Sequence, residues 1–89
     1  MFTWDEKKRK LNLAKHGIDF RDAETIFAGS LVTVEDTRQD YGELRYVSLG
    51  MLEGVVVSLV YTERDDHIRL ISIRKALRHE TRFFLSQIS

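Results

Sequence analysis

Side chains that can transfer protons lie beside cations near both ends of this chain. His16 follows Lys15 and lies eight residues after Lys8, and Glu80 lies six residues after Arg74. Cleavage of RNA by its own 2′-hydroxyl needs a base, an acid for the leaving 5′-oxygen, and cations that hold and neutralise the phosphate. His16 and Glu80 are therefore candidates for proton transfer, and the nearby cations are candidates for binding phosphate.

Arginine supplies the forked guanidinium that matches the geometry of a phosphate. Arg45, Arg69 and Arg74 are the candidates for this contact, and Lys8 and Lys15 would add positive charge. Arg69 and Arg74 are five residues apart, so a regular strand would direct them to opposite faces of a sheet. Both reach one phosphate only if the strand ends or twists before Arg74, which favours Arg74 as the phosphate ligand.

Each candidate also has a purely structural interpretation. His16 lies at a predicted helix end, where it would contact the last carbonyl groups. Glu80 would form an ion pair with a neighbouring arginine and do nothing else. Trp4 could stack on a base, although the single tryptophan of so short a chain also fits a core position.

No metal or cofactor site is predicted. The histidines at positions 16, 67 and 79 lack the spacing of a zinc or iron site, and the chain has no cysteine. There is no glycine-rich phosphate loop and no nucleophile elbow. Without a signal peptide or a long apolar run, the chain is expected in the cytoplasm and away from membranes.

The net charge of zero is unevenly distributed along the chain. Residues 1–18 carry five cations against two acids, a sum of +3, and residues 69–89 carry five against one, a sum of +4. Residues 19–68 carry four arginines against eleven acids, a sum of −7. If the two ends meet in space, one side of the domain is basic and attracts nucleic acid or an acidic partner. The alternative is that these charges form an ordinary solvated surface.

The length of 89 residues predicts one domain, residues 1–89, with a small core. Asp5 is predicted to cap a helix that ends at Gly17, and Asp19 is predicted to cap a second, shorter helix. The basic run Lys7–Lys10 is interpreted as the solvent face of the first helix. These two helices precede a change from a period of about four residues to a period of two.

The remaining pattern predicts an α+β fold. Phe2–Trp4 is interpreted as a short strand or an apolar lead-in, and residues 75–87 as a terminal helix with Leu77, Phe84 and Ile88 on one face. Short turns join the strands, so the sheet is expected to be antiparallel and four-stranded, with two N-terminal helices and one C-terminal helix. The predicted strands are Leu31–Glu35, Leu44–Met51, Val55–Tyr61 (a central strand buried on both faces) and His67–Arg74.

Motifs from the start, middle and end of the chain occur together in one known family. They comprise Trp4, Asp5, Lys8, Asn12, Lys15, His16, Gly17 and Phe20; Asp36, Gly42, Glu43, Arg45 and Gly50; and Arg69, Ile71, Ser72, Arg74, Ala76 and Glu80. By their order and spacing the chain resembles the BrnT family, the toxin half of a bacterial type II toxin–antitoxin pair. The resemblance covers nearly the whole chain.

The resemblance implies a compact fold similar to the RelE/ParE toxins and a ribonuclease that cuts RNA and blocks translation. It also implies a BrnA-type antitoxin, a DNA-binding protein that covers the toxin in a heterotetramer and represses their shared operon. Contact with DNA would then be indirect, through the antitoxin.

The leading hypothesis is a metal-independent RNA endonuclease toxin that needs no cofactor. In this hypothesis Arg74 and Arg69 bind phosphate, His16 or Glu80 transfers protons, and Lys8 and Arg45 give support. The proposed catalytic residues are His16, Arg74, Glu80 and Lys8, and the proposed phosphate-binding residues are Arg45, Arg69 and Lys15.

Two other functions are compatible with the sequence. The first is an inactive toxin relative that binds its antitoxin as a co-repressor, favoured by Phe83-Phe84 where the family pattern leads us to expect tyrosine. The second is a general nucleic-acid-binding domain, which would bind RNA in a salt-sensitive manner without cutting it.

Overall fold

Five strands form one mixed sheet in a computed structural model that describes all residues from 1 to 89. The strands are β1 (Phe2–Thr3), β2 (Val32–Glu35), β3 (Tyr46–Leu52), β4 (Val55–Arg64) and β5 (His67–Lys75), in the spatial order β1-β5-β4-β3-β2. Strands β2 to β5 pair antiparallel, whereas β1 runs parallel to β5. The prediction of a four-stranded antiparallel sheet is therefore wrong at this edge, because two residues are too few to show a period.

Three helices and one 3-10 turn complete the α+β fold. They are α1 (Glu6–His16), the 3-10 turn (Phe20–Asp22), α2 (Ala23–Ala28) and α3 (Arg78–Ile88). Asp5 caps α1 as predicted, by accepting hydrogen bonds from the backbone N–H groups of Lys7 and Lys8, and Gly17 ends it with φ 72°. The predicted second helix is a 3-10 turn followed by only six helical residues. The terminal helix starts later than predicted because β5 continues to Lys75, which pairs with Val57.

The main core lies between one face of the sheet and the segment that contains the 3-10 turn and α2. Strand β4 lies between β3 and β5 and is buried from Val56 to Leu59, as predicted for a central strand. Tyr61 and Ser48 share a buried hydrogen bond of 2.7 Å in this layer. The buried apolar residues of the main core are Ile18, Phe20, Ala23, Ile26, Val57, Leu59, Tyr61, Leu70 and Ile73.

The opposite face of the sheet is covered at one end by α3, and at the other end the segment between β2 and β3 buries Thr62, whose hydroxyl donates to the carbonyl of Leu44 at 2.8 Å. Phe84 is fully buried there against Leu49 and Val56. Leu77 and Ile88, predicted to share that contact, are 55% and 41% exposed, so Phe84 is the only one of the three that is buried. We call the part of this face beyond α3 the open face. It carries the side chains of Val34, Val47, Ser58, Val60, Thr62, Arg69, Ser72 and Arg74.

Helix α1 is attached to the edge of β5 by the side chain of Asn12. Its amide nitrogen donates to the carbonyl of Ile73 at 2.8 Å and to that of Ile18 at 3.0 Å, and its oxygen accepts from the N–H of Ile73 at 3.1 Å. Strand β1 pairs only as far as Arg69. The Asn12 amide therefore takes the place of a neighbouring strand farther along β5.

Arg9 is the second buried polar residue of α1. Its guanidinium pairs with Glu6 in the same helix and with Asp19 at 3.0 Å. The interpretation of Lys7–Lys10 as a solvent face is therefore wrong at Arg9. No apolar side chain of α1 is buried, and Leu11 is 70% exposed. Polar contacts thus hold this helix where most helices rely on an apolar stripe.

Replacing Asn12 by alanine should leave the N–H and C=O of Ile73 without partners. We expect the free energy of unfolding to fall by about 1–3 kcal/mol, measured by urea denaturation, and amide exchange at Ile73 to accelerate. Leu11→Ala, on the exposed side of the same helix, should change stability by no more than about 0.5 kcal/mol. Unchanged exchange at Ile73 in the Asn12 variant would contradict this account.

Gly50 lies in β3 where α2 approaches the sheet most closely. A Cβ at this position would lie 2.8 Å from Cγ2 of Ile26, which is fully buried, and 2.9 Å from Cδ2 of Leu31. Gly50→Ala should therefore overpack the core and lower the free energy of unfolding by about 1–3 kcal/mol. Gly29→Ala is the matched control, because its Cβ would meet only a backbone oxygen at 3.7 Å. Equal urea midpoints for both variants would refute the steric argument.

Candidate active site

A β-bulge in β5 places Arg69 and Arg74 on the same face of the sheet. Arg69 pairs with Thr62 and Arg74 pairs with Ser58, two positions that share a face of β4. Between these pairs β5 has one residue more than β4, which is Ile71. The bulge shifts the alternation of side chains by one residue, so both guanidinium groups reach the open face without the strand having ended.

Three adjoining depressions lie along the open face, and we name each after one residue. The Arg74 cleft and the His16 groove meet at Ser72, and the His16 groove meets the Arg69 pocket at Lys8 and Ile71. The three together form a continuous surface from the start of α3 to the turn between β4 and β5.

The Arg74 cleft has a volume of ≈ 290 Å³ and lies between α3 and residues 34–38. Ser58, Val60 and Ser72 lie on its floor. Arg74 donates from Nη1 to Oε1 of Glu80 at 2.8 Å and from Nη2 to Oε2 at 3.0 Å. This two-point contact fixes the plane of the guanidinium at the edge of the cleft.

Glu80 also accepts a hydrogen bond of 2.7 Å from the backbone N–H of Leu77, and so caps α3. The bonds from Arg74, and then that from Leu77, lower the pKa of Glu80 below its ordinary value of 4.5. The same contact raises the pKa of Arg74. Glu80 is therefore a carboxylate at neutral pH that holds Arg74 in place and has no proton to donate.

Arg38 faces Arg74 across the cleft. It donates to both carboxylate oxygens of Asp36 at 2.8 Å, and the Tyr41 hydroxyl donates to the same carboxylate at 3.1 Å. These bonds, chiefly those from Arg38, hold the pKa of buried Asp36 well below its usual range. The positive charge of Arg38 partly opposes the rise in the pKa of Arg74 that Glu80 causes. Two guanidinium groups, each fixed by a carboxylate, thus share one cleft.

The His16 groove runs between α1 and β5. Lys8, Lys15 and His16 line one side of it, and Ile71 and Ser72 line the other. His16 is half-buried at the end of α1, and its ring makes no hydrogen bond within the protein. His16 does lie in the last turn of α1, but its ring is not hydrogen-bonded to the last carbonyl groups, so both ring nitrogens can meet a ligand.

The Arg69 pocket lies beside Thr62 at the other end of the open face. Glu43 accepts from Arg45 at 3.2 Å and from Arg64 at 3.3 Å, and Arg45 lies 4.0 Å above the ring of Tyr41. Four cations line this pocket: Lys8, Arg45, Arg64 and Arg69.

The structure brings the site residues proposed from the sequence to one face of the sheet, although only Arg74 and Glu80 contact each other directly. Trp4 lies apart from them, with its ring edge-on to Phe20 and its Nε1 donating to Glu6. The residues that line the three depressions include Lys8, Lys15, His16, Arg45, Arg69, Arg74 and Glu80.

Sequence reasoning missed Arg38, Arg64 and the anchoring role of Asn12. The only signal for Arg38 was its position two residues after Asp36, and Arg64 lies between two predicted strands, where the sequence pattern carried no signal for a site. No three histidine, aspartate or glutamate side chains are grouped so as to hold a metal ion. None of the helices is long and apolar enough to span a bilayer.

The ion pair between Glu80 and Arg74 predicts a specific dependence of stability on pH. Because the folded pKa of Glu80 is lowered, its contribution is complete above the unfolded value near 4.5 and is lost as the pH falls through the folded value. Glu80→Gln should therefore be less stable than wild type near neutral pH, and the difference should shrink below about pH 4.5. Glu24→Gln, at an exposed position without an ion pair, should match wild type throughout. A wild-type advantage over Glu80→Gln that grows in acid would disprove this linkage.

Comparison with known proteins identifies the family of this chain. A family model described as "Ribonuclease toxin, BrnT, of type II toxin-antitoxin system" matches residues 4–80. No individually curated protein shows significant similarity to the chain. The family match confirms the resemblance seen in the sequence and includes every residue placed in the three depressions. The chain therefore belongs to the BrnT family of ribonuclease toxins of type II toxin–antitoxin systems.

Proposed function

We propose that this protein is a metal-independent RNA endonuclease whose site is the open face of the sheet. One observation carries the proposal: the fixed guanidinium of Arg74 and the free imidazole of His16 line adjoining depressions that share Ser72. A cationic anchor and a proton carrier therefore lie on either side of Ser72. They supply the charge stabilisation and one of the two proton transfers that 2′-hydroxyl chemistry requires.

In this proposal Arg74 binds the scissile phosphate. Negative charge builds up on the phosphate oxygens as the 2′-oxygen attacks, and a guanidinium already held in position by Glu80 stabilises that charge without reorganising. Lys8 and Lys15, which line the His16 groove, add positive charge along the path of the strand. Arg45 and Arg69 hold the phosphate backbone farther along the face.

Proton transfer falls to His16 in this proposal, because Glu80 is a carboxylate committed to Arg74. Imidazole can both accept and release a proton near neutral pH. His16 would take the 2′-hydroxyl proton, with water supplying the proton to the leaving 5′-oxygen, or it would protonate the 5′-oxygen, with water taking the 2′-hydroxyl proton. Glu80, whose lowered pKa makes it a weak base, acts by positioning Arg74.

The nucleophile belongs to the RNA and the charge-neutralising groups belong to the protein, so we propose that cleavage needs no divalent ion. The arrangement of N-terminal helices, strands β2–β5 and a C-terminal helix supports our proposal of a RelE/ParE-like fold. We further propose that the toxin acts in the cytoplasm, where cutting RNA would inhibit translation.

Membership of a type II toxin–antitoxin family implies an antitoxin partner. We propose that this partner is a BrnA-type DNA-binding protein that covers the toxin in a heterotetramer. The excess of acids in residues 19–68 supports docking of a basic segment. Co-expression with the product of a neighbouring gene should restore growth, and the two proteins should co-purify.

A second candidate is a catalytically weak or inactive relative that acts as a co-repressor with its antitoxin. Phe84 is fully buried in the small core under α3, and Phe83 is 48% exposed. Neither offers the hydroxyl that tyrosine would provide. This alternative keeps the antitoxin partner and removes the cleavage.

Replacing Arg74 by alanine should abolish most of the cleavage of a single-stranded RNA by the purified protein in EDTA. The loss expected for a preorganised charge-stabilising group is roughly 10²–10³-fold in kcat. Arg74→Lys keeps the positive charge but loses the forked geometry of the guanidinium, so its kcat should lie between those of wild type and Arg74→Ala. Arg82→Ala, an exposed position on α3 without an ion pair, is the matched control and should cleave like wild type.

Three outcomes would decide against parts of this proposal. Wild-type cleavage by folded Arg74→Ala would remove Arg74 from the site. Activity lost in EDTA and restored by Mg²⁺ would reject the metal-independent mechanism. Folded wild-type protein that neither cuts RNA nor arrests growth would reject the nuclease and favour the co-repressor.

A further inference from the structure

Arg69 is the one arginine of this protein that is partly buried and has no carboxylate partner. Arg9, Arg45 and Arg74 are similarly or more deeply buried, and each pairs with an aspartate or a glutamate within 4.0 Å. Arg69 makes neither an ion pair nor a side-chain hydrogen bond within the protein. A partly desolvated charge without a partner is costly, so an anion bound there would be favoured.

The surroundings of Arg69 reinforce this requirement for an anion. Its pocket holds four cations and two acids, and both acids are already engaged. Asp5 caps α1, and Glu43 accepts from Arg45 and Arg64. Neither carboxylate forms an ion pair with Arg69 or with Lys8. With four cations against two acids, the pocket carries a net charge of +2 and is electropositive.

The bulge at Ile71 aligns this pocket with the Arg74 cleft. Both guanidinium groups project from β5 onto the open face, and their partners in β4, Thr62 and Ser58, are four residues apart, about 13 Å at the ≈ 3.3 Å rise per residue of a strand. The His16 groove shares lining residues with both depressions. Side chains of a strand stand roughly perpendicular to the sheet, so this separation exceeds the spacing of two successive phosphates, which a single sugar separates. A strand that filled both places would have at least one further nucleotide between them.

We infer that the Arg69 pocket is a second phosphate subsite, and that the substrate is a single-stranded RNA longer than the dinucleotide around the scissile bond. The inference rests on the proposed nuclease function and extends it. Arg64, beside Arg69 and Arg45, belongs to this subsite. A duplex keeps its phosphates in a fixed helical array, whereas a free strand can extend along β5 and enter both depressions.

The subsite can be tested by binding, without cleavage, through fluorescence anisotropy with 2′-O-methyl oligonucleotides that lack the nucleophile. For wild type we expect affinity to rise between a dinucleotide and longer single strands. Arg69→Ala should bind the longer strands about tenfold more weakly, as expected when a charge-assisted hydrogen bond is removed, and bind the dinucleotide equally well. The slope of log K against log salt should fall by about 0.7 in magnitude for each phosphate that the variant no longer binds.

Two further variants make the result decisive. Arg69→Met keeps the aliphatic volume and removes the charge, so it serves if the alanine variant is poorly folded. Arg21→Ala removes an exposed arginine from the 3-10 turn, on the helix-covered side of the sheet, and should match wild type. If Arg69→Ala and Arg69→Met bind every length like wild type with unchanged salt slopes, the subsite does not exist.

Cleavage assays separate this inference from the proposed function. Cleavage by wild type, combined with undiminished binding of long strands by the Arg69 variants, rejects the second subsite alone. The opposite result is a protein that cuts no RNA but binds longer oligonucleotides more tightly in a way that depends on Arg69. That result rejects the nuclease and leaves an RNA-binding face with two phosphate sites. Equal affinity for a duplex of the same sequence would overturn the single-strand assignment.

Discussion

The contact between the Asn12 amide and the edge of β5 is the constraint on which the functional face depends. Helix α1 buries no apolar side chain, so its position is set by Asn12 at Ile73 and by the ion pair of Arg9 with Asp19. Buried amide and peptide groups lose far more when left unpaired than they gain when paired. This difference favours the one alignment of α1 along β5 in which Asn12 lies opposite Ile73. The contact also holds the cationic side of α1 beside the open face.

The bulge in β5 lies between two different neighbours of that strand. Strand β1 pairs with β5 up to Arg69, and the Asn12 amide takes over at Ile73. The extra residue, Ile71, lies in the interval between them. In a regular strand Arg69 and Arg74 would lie on opposite faces of the sheet. The extra residue reverses the alternation of side chains after it, so both arginines lie on the open face. The site's shape is thus a consequence of how the sheet edge is completed.

The electrostatics of the open face follow from pairing more than from composition. The chain has no net charge, yet the ends that carry the excess cations meet where α1 lies along β5. In the Arg74 cleft each guanidinium is fixed by its carboxylate, Glu80 or Asp36, and Glu35 gives the lining one acid in excess of the two cations. In the His16 groove and the Arg69 pocket, cations exceed acids. The face therefore has a rigid end with paired arginines and a cation-rich end that attracts a nucleic-acid strand.

The sequence alone determined the elements that depend on near neighbours. Asp5 and Gly17 marked the ends of α1, the β-branched run marked the buried central strand, and the motif order marked the family and the residue types of the site. Only the tertiary structure decided which of these residues meet. The partners of Asn12, the companion of Arg74 across its cleft and the reversed face of Arg69 depend on contacts between residues up to 61 positions apart. Local periodicity carries no information about such contacts, because they exist only after the sheet and α1 have packed together.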